Sequence, residues 1–421
     1  MPLVVQKYGG TSVGTPDRIR NVAKRLIETQ REGYRVVAVV SAMAGVTDDL
    51  IKLAHEMAPE PAKRELDRLL ATGERAASAL TAMAVNASGG RAISLSGAEA
   101  GILTDCVHTK ARIANISPKQ ILELLEDDYI VIVAGFQGQT AEGETTTLGR
   151  GGSDLTAIAL AGALNADACQ IFTDVDGVFT CDPRVVPGAQ KLDEIAYDEL
   201  LEMAGSGAKV MQSRAVEFAK KFGVEFEVRS TFKPDAGTIT KEETPSMEDV
   251  VVRGISLDRH QAKLTIASVP DKPGIAGRVF STIAASHIVV DMIVQTVSVS
   301  GTTDISFTIH EGELEDARKV LMPIVSEIGA SRLYTASGVA KLSVAGIGMR
   351  SHSGVAARMF ECLGKAGINI QLVSTSEIKI AVVIDGNNAE GAARVIHAEF
   401  GLVRVRPAAS AIQALTTNER E

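Results

Sequence analysis

A chain of 421 residues is long enough for two or three domains and for a full core without disulfide or metal staples. Its formal net charge of -9 argues against a general nucleic-acid binder, whose surface must be basic, and its 45% hydrophobic and 23% charged content is that of an ordinary globular protein. Cys106, Cys169, Cys181 and Cys362 form no CxxC pair and have no His-rich neighbour, so neither a bound metal nor a disulfide framework is expected. No basic-then-apolar leader pattern and no apolar run of about 20 residues is present, so a soluble cytoplasmic protein, without a membrane partner, is expected.

In chain order, the first segment is α/β. Leu3-Val4-Val5 is a short β-prone run that leads into Gly9-Gly10-Thr11-Ser12. Pro16 and Asp17 open a helix with Ile19, Val22, Ala23, Leu26 and Ile27 at helical spacing, and Gly33 stops it. Val36 to Val40 is a continuous apolar run, as in parallel strands buried on both faces. The unit recurs as a strand from Tyr129 to Ala134, a helix from Ser153 to Leu164, and a strand from Cys169 to Phe172 that runs into Thr173-Asp174. This alternation predicts a mostly parallel sheet covered by helices, with ligands at the C-terminal strand ends. It continues to about Val228 and gives a first domain over 1–232.

From Lys233 onward Pro234, Gly237, Pro245 and Glu242-Glu243 change the character of the chain, and a linker is predicted over 233–260. Beyond it lies an internal repeat: Gly274 aligns with Gly354, Arg278 with Arg358, Phe280 with Phe360 and Ile288 with Ile368, all at one constant offset. Each copy reads strand, Gly turn, helix, strand and a further strand, giving modules over 261–337 and 338–421. Glycines between strand and helix leave backbone N–H groups free for a small anionic ligand, although two packing modules without a ligand would read the same way.

Two glycine loops carry the chemistry. Lys7-Tyr8-Gly9-Gly10-Thr11-Ser12 ends a strand and precedes a helix, so the backbone can approach a phosphate while Lys7 supplies a compact charge. The lysine precedes the glycines, so this is not a Walker loop, and a plain strand–turn–helix junction is the alternative. Leu148-Gly149-Arg150-Gly151-Gly152-Ser153-Asp154 again sets glycines before a helix, and Arg150 offers a fork for a carboxylate. Asp154 could be only a helix cap. Thr173-Asp174 to Phe179, with Asp182-Pro183-Arg184, reads either as a surface loop or as a nucleotide rim. Lys209, in Gly205-Ser-Gly-Ala-Lys-Val210, would by itself be an ordinary surface lysine.

Together, Lys-Tyr-Gly-Gly-Thr-Ser-Val, Val40-Ser-Ala-Met43, Gly73-Glu74, Gly149-Arg-Gly-Gly-Ser-Asp154, Thr173-Asp174 and the tandem repeat resemble the aspartokinases of the amino-acid kinase superfamily. The repeat resembles paired ferredoxin-like ACT domains, modules that sense amino acids. The resemblance implies that Lys7, Gly9, Gly10, Thr173, Asp174, Phe179, Arg184, Lys209 and Val210 bind ATP. It implies that Ser41, Thr47, Glu74, Arg150, Gly151, Gly152, Ser153 and Asp154 bind aspartate, with Lys7, Asp154 and Lys209 catalytic. Phe179 stands where tyrosine is common in the family, and a ring there can still pack against adenine or ribose. The implied effectors, lysine and/or threonine, would meet Lys272, Pro273, Gly274, Ile275, Ala276, Asp291, Met292 and Gln295, with Asn369 and Ile370 closing the site.

The implied reaction, Mg2+-ATP phosphorylating the aspartate side chain, needs no general base, because a carboxylate with a pKa near ~3.9 is already an anion at neutral pH. The difficulty is one anion approaching another, which cations and aligned N–H groups relieve. Kinases of glutamate or acetylglutamate, or a catalytically silent amino-acid sensor, are the alternatives. Ending at Glu421, the chain is expected to lack the dehydrogenase half of bifunctional members. Met247 could begin a separate small subunit of residues 247–421, giving a heterotetramer, against a plain homo-oligomer.

Overall fold

Leu3–Tyr8 (β1) is buried at every position and lies inside an eight-stranded sheet. Its partners are Arg35–Val40 (β2) on one side and Ala168–Thr173 (β9) on the other, both parallel to it. Beyond β2 come Ile130–Ala134 (β6) and Ala92–Leu95 (β3); beyond β9 comes Phe226–Ser230 (β11), all parallel. Thr238–Lys241 (β12) then runs antiparallel to β11, and Glu194–Ala196 (β10) pairs with β12. The chain moves one way from β1 to β2 and the other way to β9, so a ligand crevice is expected at their C-terminal ends. The computed structural model describes residues 1–207, 211–243, 250–297 and 301–402.

Alternation along the strands divides the core into two layers. Val4, Tyr8, Val36 and Ala38 pack against the helices Pro16–Arg31 (α1) and Lys63–Ala87 (α3). Leu3, Val5, Val37 and Val39 pack against Gly152–Ala163 (α5) and Ser213–Phe222 (α7). The five apolar residues expected to face inward from α1 are its buried residues, and the Thr15 hydroxyl caps it by accepting from the Arg18 N–H at 3.3 Å. α5 is buried around nearly its whole circumference, which is why its sequence carries no polar face. A small sheet of Ile102–Thr104, Ile113–Ile116, Gln137–Gln139 and Thr145–Thr147 covers one end of the large one.

Residues 233–260, predicted to be a linker, contain two strands. β12 completes the large sheet with Thr238 and Thr240 fully buried, and Gly254–Pro270 (β13) begins a second sheet with Ile255 buried. That sheet has six strands, and β13 pairs along its length with Arg332–Ala345 (β16). The first part of β13, around Ile255, joins the core of the second module, while Ala262, Leu264 and Ile266 join that of the first. The second module therefore borrows a strand from ahead of the first. Each copy also closes with a helix beyond the predicted pattern, Leu314–Glu327 in one and Ala389–Glu399 in the other.

Candidate active site

The C-terminal edges of β1 and β2 and the start of α5 enclose a cleft of about 490 Å3. Lys7 ends up here because its strand stops one residue later, at Tyr8. Gly10 turns the chain against the loop after β2, where a Cβ would come within 2.8 Å of the Ala42 carbonyl. Gly73 performs the same service for α3, since a Cβ there would meet that of Ala42 at 2.9 Å. That close approach is what lets Glu74, one residue on, reach the crevice.

Lys7 and Asp154 form an ion pair at 2.6 Å, both nearly buried. Asp154 lies in the first turn of α5, whose N-terminal end opens on the cleft and favours negative charge. Gly151, in the left-handed region at φ 74°, makes the entry turn, and Gln212 fills the space where its Cβ would project. Arg150 is exposed at the rim. Glu74 is 4% exposed; one of its oxygens accepts from the Ala42 N–H at 3.1 Å and the other has no partner. Burial pushes its carboxyl up to about 7, against the opposing pull of that backbone N–H. A buried carboxylate oxygen without a donor, facing a cleft, suits an incoming cation such as an ammonium group.

Of the sequence-predicted residues, Lys7, Gly10, Ser41, Thr47, Glu74 and Arg150 to Asp154 all line this one cleft. Gly9 and Thr173-Asp174 stand beside it at the same sheet edge: the Gly9 N–H donates to the Phe172 carbonyl at 3.1 Å, and the Thr173 hydroxyl donates to Asp174 at 3.2 Å. Phe179 is half-buried in the loop beyond β9, bridged to Lys191, and Arg184 is exposed with its guanidinium held by Asp182 at 2.7 Å. Lys209, Val210 and Met247 lie outside the described residues. In the regulatory half Met292 is buried against Val339 and Val383, Asp291 is ion-paired with Lys341, and Lys272, Gly274, Gln295 and Asn369 are exposed.

Sequence reasoning missed the rest of the cleft lining: Leu66 and Leu70 on the same helix as Glu74, with Thr109, Phe136 and Thr147. Behind it is Asp67, fully buried. Asp67 and Glu74 are seven residues apart on one helix, a spacing that puts both carboxylates on the same face and could have revealed the pair. Phe136 holds φ 69°, unusual for a bulky residue, two residues after the end of strand β6. Among the described residues no three His, Cys, Asp or Glu side chains gather as metal ligands, and no helix is long and apolar enough to cross a membrane.

A parallel sheet with a cation–carboxylate pair, a helix N-terminus and an arginine at one crevice suits a small charged ligand, and two repeated modules follow that domain. The model of the amino acid kinase family matches residues 2–230, and that of the ACT domain matches 267–322 and 342–400. An aspartate kinase of Stutzerimonas stutzeri is 50% identical over 403 residues, 96% of this chain and 98% of that one. The crystal structure of E. coli aspartokinase III in complex with aspartate and ADP, in its R-state, has a TM-score of 0.81 at 27% identity, covering 94% of this chain and 99% of that one. The same enzyme with lysine and aspartate, in its T-state, has a TM-score of 0.76 at 27% identity over the same shares. The chain belongs to the amino acid kinase family and, within it, to the aspartokinases.

Proposed function

We propose that the chain transfers the terminal phosphoryl group of ATP to the side-chain carboxylate of L-aspartate, forming 4-phospho-L-aspartate, the first step toward lysine, threonine and methionine. The observation that carries this is the convergence of Lys7, Glu74, Arg150 and Asp154 on one cleft. Arg150 takes the α-carboxylate of aspartate through its planar fork. Glu74 and Asp154 receive the ammonium, which supplies the partner that the orphaned Glu74 oxygen lacks. The free β-carboxylate is then the nucleophile, and it needs no base to ionise it. Lys7 moves from Asp154 to the transferring phosphoryl group and offsets its charge, with the N–H groups of the Gly9-Gly10 turn and Lys209 assisting.

Nucleotide occupies the neighbouring edge, formed by Gly9, Gly10, Thr173, Asp174, Phe179, Arg184, Lys209 and Val210. The aspartate and ADP bound to the E. coli enzyme support both assignments. Mg2+ bound with ATP would supply further charge neutralisation at the phosphates. Such an ion would be held mainly by phosphate oxygens and water, with Asp174 a carboxylate at the same edge. Residues 261–337 and 338–421 form the regulatory part, taking lysine and/or threonine at Lys272 to Ala276, Asp291, Met292 and Gln295, closed by Asn369 and Ile370. The lysine complex of the E. coli enzyme supports an amino-acid effector.

A coupled ADP-release assay over aspartate, glutamate and acetylglutamate, with hydroxylamine trapping of the acyl phosphate, tests the reading. Trapped product with aspartate alone is expected. Turnover that prefers glutamate or acetylglutamate, or none with any acceptor, overturns it.

A further inference from the structure

We propose that Asp67 is a positioning residue for the acceptor side of the cleft: it fixes the wall made by Thr109 and Thr147 and, through Thr109, the turn that presents Arg150. Asp67 is completely buried, yet its carboxylate is surrounded by donors. The Thr147 hydroxyl donates to Oδ1 at 2.5 Å, the Thr109 N–H to Oδ1 and Oδ2 at 3.1 and 3.0 Å, and the His108 Nδ1 to Oδ2 at 2.8 Å. These donors take the place of the water that a fully buried carboxylate gives up.

The donors come from two segments, residues 108–109 and Thr147, which Asp67 ties to α3. Thr109 is a non-glycine residue at φ 70°, a conformation that persists when its surroundings hold it, and its N–H is held by Asp67. The Thr109 carbonyl lies 3.3 Å from where a Cβ on Gly149 would project, so this loop forms the floor under the turn carrying Arg150. From the other side Arg214 donates to the carbonyls of Leu148 at 2.8 Å and Ala111 at 3.0 Å, while the Ala111 N–H donates to Thr147 at 2.9 Å. α3, residues 105–111 and residues 147–150 are thus one hydrogen-bonded unit with Asp67 at its centre. Both Thr109 and Thr147 line the cleft. Neutralising Asp67 leaves buried donors unsatisfied and frees the acceptor wall, while the nucleotide edge at β9 is untouched.

This inference rests on the reading of the cleft as the aspartate site. Steady-state kinetics of the full chain separate the two. In Asp67→Asn the aspartate KM is expected to rise about tenfold, with ATP KM and kcat within about twofold, the pattern of lost acceptor binding without lost chemistry. An unchanged aspartate KM, or equal rises in both KM values, in the folded variant overturns the positioning role. Arg150→Ala runs beside it: if that variant leaves aspartate KM unchanged, the aspartate-site reading itself fails. Should Asp67→Asn not fold, His108 decides. His108→Ala removes one donor, whereas His108→Asn keeps an amide N–H near the Nδ1 position. A rise of about threefold in aspartate KM for alanine, restored by asparagine, supports the role; aspartate KM equal to wild type in both contradicts it.

Discussion

The proposed aspartate cleft and the proposed nucleotide edge beside it are held in different ways. The acceptor half, from Ser41 to Glu74 and from Arg150 to Asp154, is fixed by contacts inside the catalytic domain: α3 against the β2 loop, Asp67 against Thr109 and Thr147, Arg214 against Leu148. The proposed nucleotide edge is held by the second C-terminal module. The buried His397 Nε2 is 2.9 Å from the Thr180 hydroxyl, Arg394 donates to the Val185 carbonyl at 3.1 Å, and the Gln190 amide donates to the Leu402 carbonyl at 3.0 Å. The helix that leads into the Lys209 segment, Tyr197–Gly205, is held along its length. Its Glu199 accepts from the Ile347 N–H at 3.0 Å and pairs with Arg253 at 3.3 Å, and Glu202 pairs with Lys379 at 2.6 Å. At its end, the Gly205 carbonyl accepts from the buried Lys341, which also pairs with Asp291. The difference implies that a rearrangement of the regulatory modules is felt first at the nucleotide and only indirectly at aspartate.

The largest expected effect lies where the halves meet. Lys7→Ala should lower kcat about a hundredfold or more, because it removes charge stabilisation of the transferring phosphoryl group, and should also lower the melting temperature, because it leaves the nearly buried Asp154 carboxylate without its ion-pair partner. Near-normal turnover in a folded variant would take Lys7 out of the mechanism.

Glu74→Gln belongs to the acceptor half alone. At pH 8 it should raise aspartate KM about tenfold with ATP KM unchanged, through loss of the ammonium partner. In the wild type the same partner is lost by protonation, so aspartate KM should climb as the pH falls below about 7. Stability moves the other way. A carboxyl raised from 4.5 to about 7 in the fold contributes most below the lower value, and that contribution is lost as the pH rises to the upper one. Glu74→Gln should therefore stabilise the chain at pH 8, by up to about 3 kcal/mol, and not at pH 4. A flat pH profile of both quantities would show that Glu74 is not the buried acid described.

The smallest effect is expected at the regulatory grip. Lys341→Met releases the Gly205 carbonyl and Asp291 while keeping the volume, and should change ATP KM about two- to threefold with aspartate KM constant. A change in aspartate KM instead would remove the distinction between the halves.

Much of this was legible in the sequence where burial is two-sided. β2 carries a continuous apolar run and β1 opens on a short β-prone one, α1 shows clean helical spacing, and both glycine loops fall at strand ends, so the cleft's floor followed directly. The Asp67 wall did not, because its strands are three or four residues long and rich in Thr and Gln, and its carboxylate gains meaning only once helix 63–87 is recognised. The exchange of a strand between regulatory modules was hidden as well. Nothing in residues 254–258 says which of two neighbouring cores Ile255 enters; tertiary pairing with β16 decides it.

The separation of the halves is tested most directly by calorimetric titration of aspartate and of ADP, in parallel, into the wild-type chain and Arg150→Ala at pH 8. The account predicts that Arg150→Ala binds ADP as the wild type does and loses most of its affinity for aspartate. Retained aspartate affinity with loss of ADP binding would contradict it.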